Sequence, residues 1–81
     1  MANIKNSISG ILIPLEWDDE GRVIRTVIMT FDEDTYVVAD DDLGQILNSH
    51  VRKVVTANGE VAINGNVKHI CVERFIIKPE K

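Results

Sequence analysis

The chain carries a single cysteine, Cys71, so no internal disulfide can form, which agrees with a reducing compartment. Its longest apolar run, Ile11-Leu12-Ile13-Pro14-Leu15, is far short of the roughly 20 residues that span a bilayer, and no membrane association is expected. The stretch Met1-Ala2-Asn3-Ile4-Lys5-Asn6-Ser7 lacks the apolar core of a signal peptide, so a cytoplasmic location is the expectation. All five glycines are isolated, which excludes a Gly-rich phosphate loop. One cysteine and two histidines, His50 and His69, are too few for a zinc site of three or four such donors. Ser49 and His50 are adjacent in sequence, which is not the geometry of a Ser–His catalytic pair. No catalytic residue, metal or cofactor is therefore expected, and the chain reads as non-enzymatic.

What remains is the composition of a folded domain. Of 81 residues, 44% are hydrophobic, enough for one small core and too few residues for two domains. The core is expected between about residues 8 and 77, with short polar tails at 1–6 and 78–81. The net charge of −4 hides an asymmetry. Residues 1–42 hold three cations against ten carboxylates, while residues 43–81 hold six cations against three. The acids gather in Asp18-Asp19-Glu20, Asp32-Glu33-Asp34 and Asp40-Asp41-Asp42. Such knots are usually solvated turns, and none has the Asp-x-Asp-x-Asp-Gly pattern of a calcium loop.

Periodicity divides the chain into five strands and one helix. Ser7–Trp17 is apolar on both parities, as a strand shared between two packed sheets must be. Gly10 permits a bend within it, and Pro14, lacking an amide donor, marks a bulge or edge. After the turn Asp18–Gly21, the β-branched run Arg22–Thr30 is a second strand. Thr35–Val38 is a short third one. From Asp42 to His50 the period changes, with Leu43, Ile46, Leu47 and His50 at helical spacing and Asp42/Gln45 spaced as a capping box. Val51–Ile63 and Val67–Ile77 then form a hairpin about Asn64-Gly65-Asn66. Small and apolar residues alternate at Val55, Ala57, Gly59, Val61 and Ile63, Ile70 and Val72 face inward, and Phe75, Ile76 and Ile77 close the core; Gly59 marks a second bend or bulge.

Three meandering strands, a short helix and a closing hairpin resemble the OB-fold (oligonucleotide/oligosaccharide-binding), an all-β, five-stranded Greek-key barrel with one short helix between strands three and four. The likeness covers about Ile8–Ile77 and rests on Gly10, the Asp18–Gly21 turn, the helix before Val51 and Val55-x-Ala57-x-Gly59-x-Val61. In particular it resembles the small stand-alone bacterial proteins of that fold. An SH3-like barrel is the alternative, which would not need the helix. The resemblance implies a binding surface on strands two and three, bordered by the first turn and by Asn64–Asn66. With Ile24, Thr26 and Ile28 inward, Arg25, Val27 and Met29 face outward, joined by Tyr36 or Val37 and bordered by Asn64 and Asn66.

That face holds one cation and one aromatic beside an acidic loop, a poor match to the basic, aromatic groove of a single-strand binder. Its apolar members suit a protein partner or a second copy better. Single-stranded nucleic acid is the alternative ligand, through Arg25, Tyr36 and the cations of the closing hairpin: Arg52, Lys53, Lys68, Arg74 and Lys78. Trp17 shares parity with Ile11, Ile13 and Leu15 and is expected as a core or lid aromatic in preference to a ligand-stacking one.

Overall fold

Alternation and turn chemistry produce the expected elements, as a computed structural model describing residues 4–78 shows. The strands are β1 (Ile4–Trp17), β2 (Val23–Thr30), β3 (Thr35–Val38), β4 (Val54–Asn64) and β5 (Val67–Ile77), with α1 (Asp42–Leu47) and a 3₁₀ turn (Asn48–His50) between β3 and β4. They close into one barrel in the order β1-β2-β3-β5-β4, β4 returning to β1. The ladder is antiparallel throughout except where β3 meets β5 in parallel. This is the expected five-stranded barrel with one short helix, and β1 starts earlier than expected, taking in Ile4, Lys5 and Asn6. The outer parts of the expected tails, 1–3 and 79–81, lie outside the described residues. Among the described residues no helix is long and apolar enough to cross a membrane.

β1 closes the barrel by serving two neighbours. Residues 4–11 pair with β4 and residues 10–17 with β2, so both ladders overlap at Gly10 and Ile11. There the backbones come so close that a Cβ on Gly10 would collide with the Met29 carbonyl. The ladder slips between Pro14 and Glu16, where the missing proline donor was expected to produce a bulge. Another slip follows at Glu16/Trp17, and one on β4 falls at Asn58/Gly59, with a glycine whose Cβ would meet a facing carbonyl, that of Cys71.

The core lines the barrel with Ile8, Leu12, Ile28, Val38, Val55, Ala57, Val61, Ile70 and Val72. On β1 the inward parity is therefore that of Ile8 and Leu12. The richer set turns outward: Ile11 and Ile13 are half-buried, and Leu15 and Trp17 are exposed. Trp17, expected in the core or as a lid, is 56% exposed at the last position of the strand, opposite Val23. Ile76, expected in the core, is 68% exposed, since β5 turns only Phe75 and Ile77 inward there.

β3 is too short to close the wall alone. It pairs with β2 only at residues 27–29 and with β5 only at Val37↔His69 and Val38↔Ile70. The start of β2 and the second half of β5 are left without a strand between them, and α1 packs against both. A six-residue helix has no stability of its own and is held by what it buries. Leu47 is fully buried in the core and Leu43 packs beside it, whereas Ile46 points outward at 48% exposure. The cap is one residue earlier than expected: Asp41, not Asp42, is extended and accepts from the Gly44 amide at 2.9 Å. Gly44 fits because a side chain there would strike the Ala39 carbonyl.

Candidate functional site

Thr26 and Ile28 are buried in the barrel, so the period of two turns Arg25, Val27 and Met29 outward as expected; Ile24, expected inward, is 42% exposed near the strand start. The register then extends this face across the wall. Val27 lies opposite Ile13 on β1 and Val37 on β3, and Val37 lies opposite His69 on β5. Met29, 41% exposed, lies opposite Ile11 and Thr35. With neighbouring strands about 4.8 Å apart, Ile13–Val27–Val37 forms an apolar row about 10 Å across, flanked by the Ile11–Met29 pair. Ile11 and Ile13 were not among the expected site residues, although their shared parity was visible in the sequence.

Of the two candidates on β3, Val37 takes the outward place and Tyr36 does not. Tyr36 pairs with Ile28 and packs against the core, because strand parity puts it on the same side as the buried Val38. Lys68 Nζ sits 5.3 Å from the Tyr36 ring centre and 2.9 Å from Asp34 Oδ2. The Asp34 hydrogen bond is the main cause that raises the Lys68 pKa above its ordinary value. The face is bordered at one strand end by the Asp18–Gly21 turn. At the other lies the hairpin, where Asn64 and Asn66 are exposed and Gly65 takes φ 65° at the first central position of the turn.

The acidic turns are built from their own hydrogen bonds. Asp18 Oδ1 accepts from the Glu20 and Arg22 amides, each at 2.9 Å, while Arg22 Nε reaches Oδ2 at 2.9 Å. The Arg22 amide is the largest cause holding the Asp18 carboxyl below its usual range. In the second knot the Thr30 hydroxyl donates to Asp32 and receives the Asp34 amide at 3.0 Å; that hydroxyl is the main cause lowering the Asp32 pKa. Of the cations of the closing hairpin, Arg52 and Lys53 run beside Leu12 of β1, next to Ile11 and Ile13 of this face. Lys68 is engaged by Asp34, and Arg74 stands on β5 opposite Asn58 of β4. Arg25 is half-buried, with an Nε that is buried and unpartnered.

The remaining polar candidates do not converge. Ser49 donates its hydroxyl to the Ile46 carbonyl at 2.8 Å, and the His50 ring lies 6.1 Å from that of Phe75. Cys71 donates its thiol to Asp41 Oδ2 at 3.2 Å, a bond that is the main cause raising its pKa. Among the described residues no three His, Cys, Asp or Glu side chains gather as metal ligands would. A cleft of about 700 Å³ opens where β2 and α1 meet, lined by the apolar Val23 and Ile24 together with Arg22, Asp40, Gln45, Asn48 and Ser49. No family model, no curated protein and no solved structure matches the chain.

Proposed function

We propose that this chain is a non-enzymatic binding module that docks another protein on the outer face of β1, β2 and β3. The observation that carries the reading is the register itself, which sets Ile13, Val27 and Val37 in one row beside Ile11 and Met29. Apolar side chains clustered on a sheet wall and rimmed by charge are the composition of a protein contact. Single-stranded nucleic acid suits the face less well. Base stacking needs outward aromatics, and Tyr36 is turned into the barrel mouth with Lys68 over its ring.

The test is Met29→Asp. Met29 is partly exposed, so its replacement should leave the circular dichroism spectrum and melting curve close to wild type. Burying the rest of a methionine at an interface is worth about 1 kcal/mol, and a desolvated carboxylate costs more, so partner capture should fall at least tenfold. Wild-type and variant baits that recover the same proteins equally would refute the reading. Amide shifts clustered at Arg25 and Val27 on adding single-stranded DNA or RNA, reversed by salt, would replace it with nucleic-acid binding.

A further inference from the structure

We propose that copies of this chain join head to tail, the outer stripe Arg74–Ile76–Lys78 of one seating in the acidic cleft between β2 and α1 of the next. The stripe follows from parity. Phe75 and Ile77 pack inward on the core, so residues 74, 76 and 78 stand side by side on the outside over about 13 Å. Ile76, at 68% exposure, is an apolar crest between two exposed cations. Neither Arg74 nor Lys78 has an ion pair among the described residues. Arg52 and Lys53 add two more exposed cations next to Lys78, whose amide donates to the Val54 carbonyl at 2.9 Å.

The cleft offers the opposite pattern. It is lined by Val23 and the 42% exposed Ile24, and by Asp40. Arg22 also lines it, and Asp18 and Glu20, which both pair with Arg22, bring two further carboxylates to the same end of β2 as Asp40. Asn48, also in the lining, holds a buried Oδ1 with no hydrogen-bond partner, an acceptor suited to an ammonium or guanidinium donor. An apolar lining beside acid fits an apolar crest rimmed by base. The two surfaces differ, so a twofold contact would set like charge against like; the complementary contact is heterologous. This assembly uses neither Val27 nor Met29 and stands apart from the face proposed above.

The experiment is sedimentation velocity of the full chain from about 10 µM to about 1 mM, the range in which a small interface populates dimers. In 0.01 M salt the average mass should rise with concentration to at least twice that of the protomer. In 1 M salt it should return to the protomer value, since the Debye length shortens from about 30 to about 3 Å. Ile76→Asp and Ile24→Asp, both at exposed positions, should each be monomeric, whereas Met29→Asp assembles as wild type. Mixing the Ile76→Asp and Ile24→Asp chains should restore a dimer that grows no further, because one keeps the cleft and the other the stripe. Should Ile24→Asp fail to fold, the pair Lys78→Glu and Asp40→Lys replaces it, each monomeric alone and the mixture assembling again, since the swapped charges also complement each other. A wild-type monomer at every concentration in low salt overturns the proposal, as do assembly that survives Ile76→Asp and a mixture that stays monomeric. A monomer whose Arg74 and Lys78 signals shift with single-stranded DNA also overturns it, in favour of a phosphate-binding stripe.

Discussion

Replacing Gly10 with alanine tests the point on which barrel closure turns. Gly10 is buried and belongs to two ladders at once, opposite Thr30 on β2 and Val55 on β4. A Cβ placed there falls 2.9 Å from Thr30 Cα and closer still to the Met29 carbonyl. These obstacles are backbone, so no rotamer change relieves them; β1 and β2 must part. On chain entropy alone, Gly→Ala stabilises by about 0.4–1 kcal/mol. Overpacking costs about 1–3 kcal/mol and more where the neighbour cannot move. The collision should win, with a net loss of about 1–2 kcal/mol from a total that for 81 residues is about 4–12 kcal/mol. Urea unfolding followed by circular dichroism would read this as a midpoint lower by about 1 M, given a slope near 1–2 kcal/mol per M. A Gly10→Ala chain as stable as wild type, or more so, would mean that the close approach of β1 to Met29 is wrong.

Other consequences are equally direct. Asp41→Ala removes the helix cap and should cost about 0.5–2 kcal/mol by urea unfolding, while Asp42→Ala should cost little; the reverse order would return the cap to Asp42. The Cys71 thiol, its pKa raised chiefly by the hydrogen bond to Asp41, should alkylate more slowly at pH 8 than in the unfolded chain, and Asp41→Asn should speed it. Equal rates in all three would deny that bond. Asp18 has a folded pKa below its unfolded one, so its contribution to stability is present above about pH 4 and lost as pH falls through the lowered value. Asp18→Asn should therefore flatten the acid limb of the stability curve, and an unchanged limb would remove the Arg22 amide bond from the account.

The elements were legible because their signals are local. Thr35–Val38 and Val67–Ile77 fall where alternation and turn residues put them, and the slips at Pro14 and Gly59 follow from a missing donor and a missing Cβ. Direction was harder wherever a strand is apolar on both sides. In β1 the sequence favours Ile11, Ile13, Leu15 and Trp17 by number, yet the barrel buries Ile8 and Leu12. Gly10 decides this: its parity must face the narrow interior where β2 crosses closely, and Ile8 and Leu12 share that parity. The helix cap was misread for a similar reason. Three adjacent aspartates offer three candidates by sequence, and only the chain path past Ala39 selects Asp41.

The site was legible only as far as parity carries. Arg25, Val27 and Met29 follow from the burial of Thr26 and Ile28, and the same rule, applied to Val38, sends Tyr36 inward and Val37 outward. What no single strand reveals is which residues share a row, because register between strands is set by the closure of the whole barrel. Closure also bears on how recognition can work. The ladders close into a barrel, so unpaired strand edges are confined to ends that outrun their neighbours, such as residues 5–9 of β1 on the β2 side, and α1 packs in the gap left by the short β3. A partner docking on the paired wall must therefore read side chains. The outward positions are the ones the core leaves unconstrained. The same physics that makes the fold readable from its inward residues thus leaves the outward ones with a weaker pattern, carried by contrasts such as Ile76 between Arg74 and Lys78.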